Sequence, residues 1–308
     1  FYLEPVGMTV KEVAELREKD PMTLVRVRNG AGWVGEIEAA WLRPVIKSPR
    51  EIRTLRVRLE DLRYLVFMPP EDIWKAIDQG RQPPLSRYPK ATAYIQWGEE
   101  QGYPTRPTCA SRPWWWDLGD RRAATVNCNY LIDDRMCFYF AANGIYVSDN
   151  FQELHDADEV TASVASAPIT QMLCELLGRV PFGGGLLKVQ TYEVKALLIL
   201  NPLLLMPAQR RDLLSAFGRL CEQPVCSIFE ELGFSLCRKR QCTDSEHPYE
   251  HVQPETLTLE QVQAASPDRF ELDRVFFDVL GLTDDERLEV YRAVAQLVKD
   301  RLVKARSM

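Results

Sequence analysis

Only three histidines, His155, His247 and His251, occur in 308 residues, which leaves little general-base capacity near neutral pH. The chain has no G-x-x-x-x-G-K-[ST] phosphate loop, no G-x-S-x-G elbow, no H-E-x-x-H helix and no G-x-G-x-x-G turn after a strand. The signatures of P-loop hydrolases, serine esterases, zinc proteases and dinucleotide-dependent enzymes are therefore missing. Long hydrophobic runs are missing too. The longest, Ala196 to Met206, is interrupted by Asn201 and Pro202 and falls short of the roughly 18 to 20 apolar residues that span a bilayer, so a soluble protein with no membrane partner is expected. Eight cysteines at 109, 128, 137, 174, 221, 226, 237 and 242 are too scattered for the disulfide framework of a short secreted domain; reduced thiols and a cytoplasmic location are expected. There is no internal repeat and no low-complexity tract. The chain opens on Phe1-Tyr2-Leu3-Glu4-Pro5, which has neither the basic start nor the apolar core of a signal peptide, and it reads as a piece of something longer.

What is present is an ordinary globular composition, 46% hydrophobic and 10% aromatic, enough for about two domains of typical size. From Phe1 to about Pro202, β-branched and aromatic runs such as Thr23 to Val27, Leu62 to Phe67 and Ala124 to Val126 alternate with Pro, Gly and Asn breaks, an α+β pattern. Asn143-Gly144, set between Cys137 to Ala142 and Ile145-Tyr146-Val147, predicts a β-hairpin, because both turn residues tolerate positive φ. Helices are expected at Lys11 to Lys19, Glu71 to Asp78, Lys90 to Gln101 and Ile169 to Leu177, the last capped by Gly178. Beyond Pro202 the apolar spacing turns helical, at Arg210 to Leu220, Ser227 to Leu232, Leu259 to Ala264, Asp268 to Leu280 and Asp284 to Leu302. The division expected is an α+β domain over 1–205 and a mainly helical tail over 206–308. Thr283 and Glu286 form a capping box for the last helix, whose stripe of Leu288, Tyr291, Ala295, Val298 and Leu302 docks on the first domain or on an absent partner.

Three local patterns invite chemistry. Gly183-Gly184-Gly185 brings backbone amides near a phosphate, or is simply a flexible turn ahead of a buried strand. Glu193-Val194-Lys195 has the E-x-K spacing of a metal-dependent nuclease, with Asp149 or Asp156 as the partner carboxylate, a triplet that also arises by chance. Cys237, Cys242, His247 and His251 supply four zinc-type ligands within fifteen residues, although the loop between the pairs is shorter than a zinc finger uses; the alternative is a polar surface loop with incidental thiols.

The charge distribution is more informative. The chain totals 38 Lys+Arg against 44 Asp+Glu, a net charge of -6, yet Arg43, Lys47, Arg50, Arg53, Arg56 and Arg58 face the single acid Glu51 over sixteen residues, a local +5. Arg81, Arg87 and Lys90 follow, then Arg106, Arg112-Pro113-Trp114-Trp115-Trp116 and Arg121-Arg122. Cations neutralise phosphates and release counterions, and a planar ring beside them can stack on a base. Against this, a basic run is often a solvated face, and at least two of the three tryptophans suit a core.

Gly35 to Lys47, Tyr88-Pro89-Lys90-Ala91-Thr92-Ala93-Tyr94, Arg112 to Leu118, Phe182 to Lys188, Val194 to Pro202 and Asp273 to Thr283, in that order, resemble the C-terminal target-recognition region, with its helical tail, of adenine-specific DNA methyltransferases from restriction-modification and phage-defence systems. Those enzymes carry an Asn-Pro-Pro-aromatic active-site motif and a glycine-containing S-adenosylmethionine pocket. Here Asn-Pro occurs only as Asn201-Pro202-Leu203, so the resemblance implies a noncatalytic, DNA-binding fragment with no cofactor of its own. The catalytic domain and its S-adenosylmethionine would lie upstream of Phe1. Duplex DNA is the implied partner: Lys47, Arg50, Arg53, Arg121 and Arg122 would position phosphates, while Arg106, Arg112, Asn127 and Asn129 suit base edges, since Arg pairs with guanine and Asn with adenine. The rival reading is a scaffold or assembly subunit that binds a protein through its helical tail.

Overall fold

A computed structural model describes residues 1–141, 144–180, 185–236 and 249–304. Along the chain its elements are β1 (Tyr2–Pro5), α1 (Val10–Lys19), β2 (Leu24–Asn29), β3 (Val34–Glu38), β4 (Leu42–Ile46), β5 (Tyr64–Phe67), α2 (Glu71–Asp78), α3 (Pro89–Glu100) and α4 (Pro107–Ala110). Short strands follow: β6 (Val126–Asn129), β7 (Leu131–Ile132), β8 (Phe138–Phe140), β9 (Tyr146–Val147) and β10 (Phe151–Leu154). Then come α5 (Glu159–Ala165), α6 (Pro168–Leu177), β11 (Leu187–Lys188), α7 (Thr191–Ala196), α8 (Pro207–Leu220), α9 (Ile228–Glu231), α10 (Leu259–Ala265), α11 (Pro267–Leu280) and α12 (Asp284–Lys304). The α+β class expected from the sequence is borne out.

Two compact units share the chain. The first comprises Phe1–Ile52, Arg58–Ala123 and Ala142–Ser148; the second comprises Arg53–Val57, Ala124–Ala141 and Asp149–Met308. This division does not follow the 1–205 and 206–308 reading, because residues 124–141 and 149–205 group with the helical region.

In the first unit a six-stranded sheet runs in the order β3-β2-β1-β5-β4-β9, antiparallel throughout except where β9 joins β4 in parallel. In β2, Val25 and Val27 are buried while Arg26 and Arg28 are exposed, the period-two pattern of a strand covered on one face, whereas β4 and β5 are buried at nearly every position. The covered face holds Trp41, which stacks on Phe67 at 4.7 Å and meets Trp116 edge-on at 5.5 Å. Buried Glu38 is explained by α3, because its carboxylate accepts the Lys90 and Ala91 backbone N–H groups at 2.8 Å each, where the helix leaves donors unpaired and its dipole favours an anion.

The second unit carries a three-stranded sheet, β10-β6-β8, and the pair β11-β7, packed with helices. Thr283 and Glu286 form the capping box read from the sequence. The α12 stripe is buried within this unit: Tyr291, Val294, Ala295, Val298 and Leu302 share a core with Ala167, Phe229, Val262, Phe276 and Phe277, with Ile169 and Met172 of α6 against it. The stripe is thus internal packing rather than a free docking face. Beside it Arg135, Glu231, Arg269 and Asp273 form a buried ion-pair network, with Arg135 on Glu231 at 2.5 Å and Arg269 on Glu231 at 3.3 Å.

The hairpin expected across Asn143-Gly144 is corrected. β8 pairs with β6 and β9 pairs with β4, so the two runs are not partners of one another; Asn143 lies outside the described residues, and Gly144 has φ +68°. A local turn signal was outweighed by long-range pairing of both flanking strands. α6 ends at Gly178 as expected, but the backbone there is extended at φ -70°, and the glycine is required because a Cβ would collide with Leu187.

Candidate nucleic-acid interface

The composition of the other face of the six-stranded sheet follows from its register. Arg43 pairs with Val66 and Val45 with Tyr64, Tyr2 pairs with Val66, and Val45 pairs with Tyr146. Since paired residues share a face and alternate residues return to it, Tyr2, Glu4, Arg43, Val45, Tyr64, Val66 and Tyr146 lie on one side, with Arg26 and Arg28 from β2. That side sets arginines and tyrosines around a small buried cluster of Val45, Val66 and Met68, whereas the opposite side is apolar.

At one end of this face lies an open cleft of about 560 Å³. Arg17 from the last turn of α1, Arg43 from β4, Trp74 from α2, Arg121 and Arg122 from the segment after Gly119, and Tyr146 from β9 line it. A neighbouring recess shares Arg17, Arg43 and Glu71 and adds Asp72, Lys75 and Arg87. Together six cations face three carboxylates, Glu71, Asp72 and Asp120. Arg43 is held by its own surroundings, donating to the Ala40 carbonyl at 2.6 Å and the Leu42 carbonyl at 3.3 Å. Burial, and then the Arg17 charge beside it, lower its pKa to about 10, so it stays charged at neutral pH. Lys75 is paired with Glu71, and Arg87 with Asp72 at 2.6 Å, while Arg121 and Arg122 are exposed. The Tyr146 hydroxyl donates to the Arg121 carbonyl at 3.1 Å and ties that segment to the sheet. Such a groove has the chemistry to bind a polyanion: fixed guanidinium groups for phosphate oxygens, with an indole beside them.

The residues singled out in the sequence separate into several surroundings. Arg121 and Arg122 enter the cleft. Lys47 and Arg106 line a second cavity of the same unit. Arg50 is exposed on the short turn after β4, its N–H capped by Ser48 Oγ at 3.3 Å. Arg53 is exposed in the second unit, where its carbonyl accepts the Val225 N–H at 2.7 Å. Arg56 of the same basic run is paired with Glu159. Arg112 is half-buried with its guanidinium 5.7 Å from the Phe1 ring centre.

Asn127 and Asn129 require correction. Both are buried in β6, at 0% and 8% exposure, and Asn127 Nδ2 donates to the Ala124 carbonyl at 3.3 Å. β6 is the central strand between β10 and β8 and is buried on both faces, so neither amide reaches a base edge. Of the tryptophans, Trp116 is core at 1% exposure, and Trp114 and Trp115 are half-buried. Arg17, Trp74, Lys75 and Arg87 were not expected as groove residues.

The other chemical patterns resolve differently. Glu193 is buried, accepts the Gln190 N–H at 2.6 Å and pairs with Arg179 at 3.0 Å, so it serves as a helix cap. No group of three or more His, Cys, Asp or Glu side chains gathers as a metal site among the described residues. Cys237, Cys242 and His247, like Gly183 and Gly184, lie outside those residues, and His251 is exposed. Burial pushes the Cys174 and Cys221 thiols up to about 12, which leaves them protonated and poorly nucleophilic.

An α+β protein with an arginine-lined groove on one sheet face is the class these features define. Residues 77–224 match the family described as the type II methyltransferase M.Eco57I, C-terminal domain, and over that segment the resemblance to the C-terminal recognition region of a DNA methyltransferase is borne out. The matched segment contains Arg87, Arg121 and Arg122 and begins after Lys47, Arg50 and Arg53. Among solved structures, the type IIG restriction endonuclease BpuSI aligns with a TM-score of 0.38 and 12% identity over 77% of this chain and 26% of that one; the chain spans about a quarter of that protein. The comparison with curated proteins returns no match.

Proposed function

We propose that this chain is the noncatalytic DNA-binding part of an S-adenosylmethionine-dependent, adenine-specific DNA methyltransferase of the restriction-modification type. It holds duplex DNA in register while a separate catalytic domain methylates the base. The observation that carries this reading is the groove of Arg17, Arg43, Lys75, Arg87, Arg121 and Arg122, half of which falls inside the segment matched to the methyltransferase C-terminal domain. An enzyme that works on an extruded base needs a module that grips the flanking backbone, and phosphate contacts supply that grip. S-adenosylmethionine belongs to the catalytic domain in this account, and no residue of this chain is assigned to it. Fluorescence anisotropy with a labelled duplex tests the reading: binding at low salt that weakens steeply as salt rises supports it, and absence of binding to any duplex at low salt opposes it. The scaffold reading has lost its motivating feature, since the apolar stripe of α12 is buried within its own unit.

A further inference from the structure

Two guanidinium groups of the groove converge on one backbone oxygen. Arg17 reaches it from the last turn of α1 and Arg43 from β4, and each places Nη1 3.3 Å from the Leu42 carbonyl oxygen. Like charges held this close repel unless an anion joins them. Arg43 registers the repulsion, since its pKa is lowered first by burial and then by the Arg17 charge. Among the described residues Arg43 is in no ion pair, and its guanidinium is occupied by backbone carbonyls instead. Arg17 pairs with Glu18 at 2.8 Å, but that carboxylate is 74% exposed, where water weakens the pair.

Both arginines line the open cleft beside Trp74 and Tyr146, and both are half-buried, whereas Arg121 and Arg122 of the same cleft are exposed. The pair is therefore the sheltered part of the groove's charge. It is also fixed in advance: Arg43 is held by the Ala40 and Leu42 carbonyls, and Arg17 by the Leu42 carbonyl and Glu18. Guanidinium groups ordered before binding lose little rotamer freedom when an anion arrives, and their planar forks match the oxygens of a phosphoryl group.

We propose that the Arg17–Arg43 pair seats a single phosphoryl group and so sets the register of whatever lies in the groove. One tetrahedral oxyanion accepts from both guanidinium groups and removes the repulsion between them. Two sources carry such a group: a backbone phosphate of a duplex, or a free phosphate or phosphate ester. The first source rests on the DNA-binding reading above and makes this pair the anchoring contact, with Arg121 and Arg122 on neighbouring phosphates.

Arginine modification by phenylglyoxal, mapped by mass spectrometry on the full chain, tests the seat. Rates at Arg17 and Arg43 are compared in sodium chloride, in inorganic phosphate at equal ionic strength, and with a duplex. Arg26, exposed on β2, is the internal reference, and duplex affinity is measured on the same samples. The expected result is that phosphate at about ten times its dissociation constant slows reaction at Arg17 and Arg43 about tenfold and leaves Arg26 unchanged. Arg17→Gln should abolish the protection of Arg43. Protection by phosphate and duplex alike identifies the backbone as the source; a duplex that binds yet leaves Arg43 reactive identifies a free phosphate or its ester. Protection by phosphate with no duplex binding upholds the seat and removes the DNA-binding reading. Phosphate that protects neither arginine overturns the seat, and a duplex that still binds leaves that reading standing. Failure of Arg43 to react under any condition shows that the cleft admits nothing to it and overturns the seat as well, and protection of Arg43 that persists in R17Q overturns the pairing.

Discussion

The Tyr146 hydroxyl donates to the Arg121 carbonyl at 3.1 Å, a side-chain hydrogen bond that ties β9 to the arginine-bearing segment. Tyr146→Phe removes it and keeps the ring. A hydrogen bond of this kind contributes about 0.5–1.5 kcal/mol net, and the expected outcome is a two- to tenfold (roughly) loss of duplex affinity with little change in thermal unfolding. Equal affinity in both proteins shows that the anchor does not position Arg121.

Glu38 makes a second test, of architecture rather than binding. Its carboxylate accepts two N–H groups at the start of α3. Glu38→Ala leaves them buried and unpaired, at a cost of about 1–3 kcal/mol; Glu38→Gln, which keeps one acceptor oxygen, falls between. Urea midpoints of the three proteins should rank in that order, and an unperturbed alanine variant would show that the cap is not stabilising.

Burial raises the Asp273 pKa to about 7, opposed by Arg269 and by the Tyr291 hydroxyl, which donates to Asp273 Oδ2 at 3.0 Å; Glu231 and Arg135 complete the charged surroundings. Because the folded state holds this proton more tightly than the unfolded state, the group contributes stability below its unfolded pKa near 4, and that contribution is lost as pH rises to about 7. Asp273→Asn removes the dependence. Urea midpoints from pH 4 to 8 should decline less steeply in the variant, and parallel profiles would exclude Asp273 as their source.

The helices were legible where apolar spacing and caps agree. α2 was read with both ends correct, and α12 began at its Thr283 capping box. What the chain hid was long-range. Cys137 to Val147 reads as one hairpin, but its halves pair with β6 and β4. The run from Arg43 to Arg58 reads as one basic surface, yet it places Arg43 in the groove, Lys47 in the cavity and Arg56 against Glu159. Arg17, Arg87 and Arg121 are separated by many residues and meet because sheet register brings β4, β9 and their neighbours together, which no local pattern encodes. Asn127 and Asn129 have the right chemistry for reading adenine, but the central position of β6 buries them.

The measurement closest to the central claim is the salt dependence of duplex affinity for the native chain and for the R121E/R122E double variant. Each phosphate contact contributes about 0.9 to the slope of log affinity against log salt. If the groove is the DNA-binding surface, the double variant loses affinity and its slope falls by about two. If affinity and slope are unchanged, duplex DNA does not bind in this groove and the account is wrong.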